Sequence, residues 1–256
     1  MPLRAVDVLG KDYYAEDCDE SVRGMCLKCP VCDGRMVFVN PTMNIIKHFR
    51  HEVTCPYLDR YEPETEEHLE MKKFFFEEIP KFNRVSMIKT EFSVAGNVAD
   101  VYFEKSDSLQ NLFKIAVECQ VSYLTMKSVR ERTARYNKSG IHVLWVLHDK
   151  NFFNRNMRSA EDWLRKHYYG RIYGIKDGVF VAMHPKRDSR ILETRWGEEY
   201  EKFYKRMVGW SFNPVSNLSI LATSLNGVRI ARFYDKRFWE VEAENWQIFE
   251  DPRLEK

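Results

Sequence analysis

Two sets of residues in this sequence have the types and spacing for chemistry. In the first, Asp100 and Glu118 lie inside the two most strand-like runs, VADVYFEKS and FKIAVECQVS, and Gln120 follows Glu118 by two residues. A carboxylate within an apolar strand costs free energy unless something binds it. Strand alternation puts Val98, Asp100 and Tyr102 on one face of their run, and Ala116, Glu118 and Gln120 on one face of theirs. An Asp on one strand and Glu-x-Gln on its neighbour offer hard oxygen ligands to one or two divalent cations of the kind that cut nucleic acid. The second set is a C-x-x-C knuckle, Cys29 and Cys32, followed after fifteen residues by His48, His51 and Cys55. Thiolate and imidazole ligands in that arrangement select tetrahedral zinc. Five candidates compete for four positions. Cys29 and Cys32 form the firm pair, Cys55 joins them, and His51 is preferred over His48 for the last place. No open ligand position is implied, so the zinc is structural.

Several elements must position the carboxylates. Pro63 precedes a helix from about Glu64 to Glu78, which Pro80 ends. At 100° per residue, Glu64, His68, Met71, Phe75 and Ile79 fall on one stripe, with Lys72 flanking His68 one turn on. The stripe is apolar at its lower end and polar at its upper end, so the helix start reaches towards a site. VSMIKTEFSV and VADVYFEKS read as a hairpin turning at Gly96–Asn97. After the Glu118 strand, TMKSVRERTARYNKSG reads as a helix with Met126, Val129, Thr133 and Tyr136 inward and Arg130, Arg132 and Arg135 largely outside that stripe. Five Lys/Arg face one acid between residues 121 and 140. Such a basic helix supplies countercharge for a phosphodiester backbone. IHVLWVLHD then reads as a buried strand.

The flanks divide the chain into three expected parts: a zinc-binding module over 1–60, a catalytic core over 61–150, and a helical and hairpin accessory region over 151–256. The module holds a hairpin, LRAVDVL with DYYAE, and a strand, RMVFV, but too few large apolar residues to fold without a staple. In the last part, NRNMRSAEDWLRKHYYG reads as a helix and RIYGI–KDG–VFVAMH as a hairpin. ETRWGEEYEKFYKRMVGW reads as a helix, and LSILATSL and GVRIARFYDKRFWEVE as strands.

Composition narrows the class. A chain of 256 residues, 44% hydrophobic and 30% charged, can bury a real core. No apolar run has the length of a membrane helix and the N-terminus is not a signal peptide. The net charge of +2 confines any basic surface to local patches. Six cysteines, three of them within 26–32, indicate metal binding in a reducing, cytoplasmic setting rather than a disulfide scaffold.

Taken in order, C-P-x-C, H-F-x-H with a trailing Cys, E-T-x-x-H-x-x-x-K (Glu64, Thr65, His68, Lys72), A-D-V (Asp100), E-x-Q-x-S (Glu118, Gln120, Ser122), R-x-x-x-Y (Arg132, Tyr136) and a closing W-V-L (Trp145) resemble the CoiA-like competence-protein nucleases of the PD-(D/E)XK superfamily. The resemblance implies an α/β fold with a restriction-endonuclease-like core, a mixed sheet flanked by helices, beside a small N-terminal zinc module. It also implies a Mg²⁺- or Mn²⁺-dependent deoxyribonuclease acting in competence, recombination, defence or a mobile element. DNA is the implied partner, with RNA and DNA-processing proteins open. In that superfamily a Lys stands where this chain has Gln120, and a neutral amide cannot act as a cationic activator of water. By the same resemblance Asp100, Glu118 and the carbonyl of Cys119 hold the cation, and Glu64 joins through water or a second metal. Lys72 or His68 meets the phosphate, and Arg130, Arg132 and Arg135 position the backbone. The competing expectation is a nucleic-acid-binding or recombination-accessory protein that keeps the fold without cutting.

Overall fold

Short alternating runs in the first fifty residues form a five-stranded antiparallel sheet: β1 (Arg4–Val6), β2 (Asp12–Tyr14), β3 (Leu27–Lys28), β4 (Arg35–Val39) and β5 (His48–His51), in the order β2-β1-β3-β4-β5. The computed structural model describes residues 2–40, 46–55, 65–81, 84–106, 110, 112–152, 157–168, 171–194, 196–197 and 199–214. Ala5, Leu27, Met36, Phe38 and Phe49 fill the inner side of this sheet. That core is small for a unit of this size, which is the situation a metal staple relieves.

The second sheet has seven strands. In chain order these are β6 (Val85–Val94), β7 (Asn97–Ser106), β8 (Leu112–Gln120), β9 (Ile141–His148), β10 (Ile172–Lys176), β11 (Val179–Glu193) and β12 (Glu199–Pro214), laid out β12-β11-β10-β9-β8-β7-β6. It is a mixed sheet: β8–β9 and β9–β10 are parallel and the other pairs antiparallel. Parallel neighbours need crossovers. α2 (Met126–Lys138) makes the first, and α3 (Asp149–Phe152) with α4 (Ser159–His167) make the second. The central strands are buried on both faces, as their continuous apolar runs require. The sheet continues without a break from the carboxylate strands into β10–β12, across residue 150. This is the α/β architecture, a mixed sheet flanked by helices, that the family resemblance implies.

Two helices matter most for the site. α1 (Glu66–Glu78) begins at Thr65, whose hydroxyl accepts the His68 N–H at 3.3 Å. Its face of His68, Leu69, Met71, Lys72 and Phe75 is buried, and Phe75 meets Phe180 of β11 edge-on at 5.2 Å. α2 starts at the Thr125 cap and buries Val129, Thr133 and Tyr136 against the sheet. Behind β9, the buried Tyr168 hydroxyl accepts the Trp145 N–H at 2.9 Å and donates to the Val143 carbonyl at 2.8 Å. That clamp holds the middle of the strand carrying Trp145.

Two local expectations change. The β6–β7 hairpin turns at Ala95–Gly96, both with positive φ (55° and 69°), and not at Gly96–Asn97. Two left-handed residues give the turn whose twist matches paired strands, and Asn97 joins the ladder opposite Val94. The stretch 193–210, expected as a helix, contributes most of its length to β12. Its dense aromatic content suits a strand, and the long β11 edge supplies backbone partners that override helical spacing. LSILATSL and GVRIARFYDKRFWEVE lie outside the described residues. Among those described, no helix is long and apolar enough to cross a membrane.

The small sheet docks on the outer strand of the large one. The Tyr14 ring lies 4.5 Å from that of Phe76 on α1, and its hydroxyl donates to the Ile88 carbonyl at 3.4 Å. Lys89 pairs with Asp12 at 3.0 Å and Lys73 with Glu16 at 3.0 Å.

Candidate active site and metal centre

The register of three strands creates a row of carboxylates. Val101 pairs with Val117, so one further step sets Asp100 against Glu118. Thr90–Val101 and Phe92–Ala99 flank Glu91, which stands opposite Asp100 on the other side. Glu118 is in turn paired with Trp145 of β9. Glu91, Asp100 and Glu118 thus occupy consecutive positions across β6, β7 and β8.

Each acid is met by a group from a helix. His68 Nε2 lies 3.3 Å from Asp100 Oδ1, and the Cys119 backbone N–H donates to Asp100 Oδ2 at 2.8 Å. Glu118 is buried; Tyr136 donates to its Oε1 at 2.6 Å and Arg132 forms an ion pair with its Oε2. Lys72, fully buried, donates to Glu91 Oε1 at 2.6 Å. One turn of α1 therefore serves Asp100 and Glu91, and one turn of α2 serves Glu118. The Arg132 guanidinium also lies over the Trp145 ring at 5.0 Å, and Thr133 accepts the Trp145 indole N–H at 3.0 Å.

This setting moves the two central acids in opposite directions. Burial pushes Asp100 up, but His68, Lys72 and Arg132 outweigh it and hold the carboxyl at about 2. Burial, reinforced by the Asp100 charge, lifts Glu118 above the ordinary carboxylate range despite Arg132 and Tyr136. Burial and the Glu118 charge likewise raise the Tyr136 phenol, so it stays a donor. The pattern of neighbouring acids with separated pKa values is common at functional sites.

Of the residues singled out in the sequence, His68, Lys72, Asp100, Glu118 and Arg132 are brought together. Glu64 lies outside the described residues. Gln120 is buried on the Glu118 strand, and its amide donates to the Ser122 carbonyl at 3.2 Å and hydroxyl at 3.3 Å. Arg130 and Arg135 are exposed on α2, Arg135 donating to Asn97 at 2.7 Å. Arg132 turns inward to Glu118 instead of lining the outer surface. The sequence reading missed Glu91. It is buried in a left-handed backbone conformation (φ 43°), a strain of about 1–3 kcal/mol for a residue with a side chain. Its Oε1 also accepts the Leu3 N–H at 3.1 Å, joining the small sheet to the site. The turn position was the missing signal. A turn at 95–96 pairs 91 with 100, whereas a turn one residue later does not.

The other cluster forms from Cys29, Cys32 and His51, whose ligand atoms all lie within 4.8 Å of one another. Cys32 Sγ and His51 Nε2 are 3.2 Å apart. The N–H of Val31 points at Cys29 Sγ and that of Gly34 at Cys32 Sγ, each at 3.4 Å, as donors that support sulfur charge. A Cβ on Gly34 would meet Cys32 Sγ at 3.1 Å, so the glycine keeps the knuckle open. Without a metal, burial pushes the Cys29 thiol up to about 12 and lowers His51, leaving a neutral imidazole. The donor set fits a thiophilic divalent ion. His48 and His51 are three apart on β5, so strand alternation sends them to opposite faces, and His48 Nδ1 donates to the Ile46 carbonyl at 2.8 Å. Cys55 is buried but is not among the atoms that converge.

Residues 64–171 match the family model described as "Competence protein CoiA, nuclease-like domain". The matched segment holds α1, the carboxylate row, α2, Trp145 and Tyr168, and excludes the Cys/His cluster. No curated protein and no solved structure matches the chain significantly.

Proposed function

We propose that this chain, whose residues 64–171 match a CoiA nuclease-like domain, hydrolyses phosphodiester bonds in DNA with Mg²⁺ or Mn²⁺ held at Asp100 and Glu118. The observation that carries the reading is the placement of these two carboxylates opposite one another on adjacent strands, with the Cys119 backbone between them. The donor chemistry fits a hard cation: carboxylate oxygens brought together on adjacent strands, with His68 beside Asp100 and Arg132 beside Glu118 to orient them. When bound, such an ion acidifies a water and offsets charge on the scissile phosphate.

The chain's own residues do the rest. His68 fixes one oxygen of Asp100 and the Cys119 N–H fixes the other. Tyr136 holds Glu118 from within. Lys72 is sealed from solvent on Glu91, whereas the Arg132 side chain is 21% exposed. Arg132 is therefore the cation of this group that reaches substrate, and it takes the phosphate-facing role left vacant by Gln120. Zinc at Cys29, Cys32 and His51 holds the small sheet in shape. The setting is DNA processing connected with competence or recombination.

Purified protein incubated with labelled DNA and Mg²⁺ or Mn²⁺ should cut it. Asp100→Ala and Glu118→Ala should reduce cleavage to background, and Arg132→Gln should cost at least about 10–100-fold, the usual cost of losing a partner that orients a metal ligand. Parental cleavage by both alanine variants would sink the assignment. One observation favours a second reading: both oxygens of Glu118 are engaged by Arg132 and Tyr136. A site locked in that way suits a protein that binds nucleic acid without cutting it. Calorimetric titration separates the two, because the nuclease takes up Mn²⁺ in an Asp100-dependent way and the binder does not.

A further inference from the structure

The outer side of the small sheet carries a second charged feature, remote in sequence from the carboxylate row. Cross-strand partners share a face. Arg35 pairs with Lys28, Val37 with Arg50 and Val39 with His48, so this face presents cations around an aliphatic floor. The loop from Val22 to Met25 walls it, enclosing a hollow of ≈ 550 Å³ whose lining includes Arg23, Arg35 and Arg50. The same alternation that directs His51 inward to the cysteines directs His48 outward into this hollow. A carbonyl only accepts, so the His48 Nδ1 carries a proton and donates it to Ile46.

On the side that docks to the core, Asp12 and Glu16 are used in pairs with Arg4, Lys89 and Lys73. The outward arginines are only loosely countered. Arg23–Glu20 and Arg35–Glu52 are exposed pairs, which hold weakly in water. Arg50 is exposed and has no ion pair among the described residues.

We propose that this hollow is a docking surface for the phosphate backbone of single-stranded nucleic acid. The guanidinium groups of Arg23, Arg35 and Arg50 offer paired donors to backbone phosphates, and Val37, Val39 and Met25 offer apolar contact to the sugars and unstacked bases that a single strand exposes. The proposal rests on the nucleic-acid reading given above but not on cleavage.

The test is fluorescence anisotropy of a short labelled single strand with the full-length, zinc-loaded protein, without added Mg²⁺ or Mn²⁺. Arg35→Glu/Arg50→Glu should weaken binding at least about tenfold. Arg35→Gln/Arg50→Gln should flatten the dependence of log K on log salt by roughly 1.4, since each phosphate contact on a single strand contributes about 0.7. Lys11→Glu, an exposed charge change elsewhere on the module, should bind as the parent does. Unchanged zinc content and circular dichroism establish that the variants are folded. Binding within twofold of the parent for both double variants overturns the proposal, as does equal loss in Lys11→Glu. Competition by polyglutamate as strong as by the oligonucleotide also overturns it, marking an acidic-peptide site instead. Failure of cleavage with intact Arg-dependent binding removes the nuclease reading alone, and intact cleavage with Arg-independent binding removes this one alone.

Discussion

The Cys/His cluster and the carboxylate row solve opposite problems with charge. The cluster is local, its candidate ligands drawn from residues 29–51, and its supporting donors are backbone N–H groups. The carboxylate row is assembled from three strands and two helices; Lys72 and Arg132 pair with Glu91 and Glu118, and His68 lies against Asp100. If an ion binds the cysteine pair as thiolates, it supplies the countercharge there and should matter to folding. If one binds the carboxylate row, where Lys72 and Arg132 already pair with the acids, it should leave stability nearly untouched.

The largest expected effect breaks or confirms that contrast directly. One zinc per chain should copurify, and stripping it should abolish amide-exchange protection over residues 27–51, because structural zinc contributes apparent free energies on the order of 10 kcal/mol. Cys29→Ser should do the same, whereas His48→Ala should retain the zinc. Adding or removing Mg²⁺ should shift the melting temperature little by comparison. If zinc removal leaves the module protected, its small apolar core is sufficient and the contrast fails.

Next in size is the internal cation. Lys72→Met strands Glu91 as a buried, unpaired and strained carboxylate, and should cost about 3–5 kcal/mol in urea unfolding. Lys72→Met/Glu91→Leu should recover most of that loss, because two apolar groups replace a desolvated pair. Were the double variant as unstable as the single, Glu91 would matter to the fold through its Leu3 contact and not through Lys72.

The two central acids separate by pH. Asp100, held at about 2 against an ordinary 3.8, binds fewer protons folded than unfolded; its stabilisation is present above 3.8 and disappears as pH falls towards 2. The loss should be about 2 kcal/mol, and absent in Asp100→Asn. Glu118, raised above its ordinary 4.5, behaves the other way: its contribution is present below 4.5 and declines as pH rises through the elevated value. Stability measured without added cation should slope down over that window in the parent and stay flat in Glu118→Gln. A parent curve lacking the upper slope would show Glu118 already ionised by Arg132.

Legibility followed the same division. The Cys29–Cys32 knuckle, the choice of His51 to join it, the α2 stripe and the strand positions of Asp100 and Glu118 could be read because each follows from short spacing or from the periodicity of its own element. Glu91 could not, since its place follows from a turn read one residue too late, and a slip of one residue reassigns every cross-strand partner. Arg132 was read as surface charge because helical periodicity sees Val129, Thr133 and Tyr136 but not the acid waiting on the sheet. β12 was misread since its partner β11 lies in a different run of the chain, and pairing rather than local propensity decides a strand.

The smallest effect joins the two kinds of order. Thr65 is a local feature, an N-cap accepting the His68 N–H, yet it sets the start of the helix that carries His68 to Asp100. Thr65→Ala should cost about 1 kcal/mol of stability, the usual loss for a cap. Thr65→Ser keeps an oxygen in the same place and should cost little. If the cap matters only for the helix, cleavage at a temperature well below unfolding should be equal in all three proteins. If it also aligns His68, Thr65→Ala should lower kcat several-fold with KM unchanged, and Thr65→Ser should restore it. The second outcome is expected, because the capped N–H belongs to His68 itself and fraying the first turn would release the imidazole from Asp100.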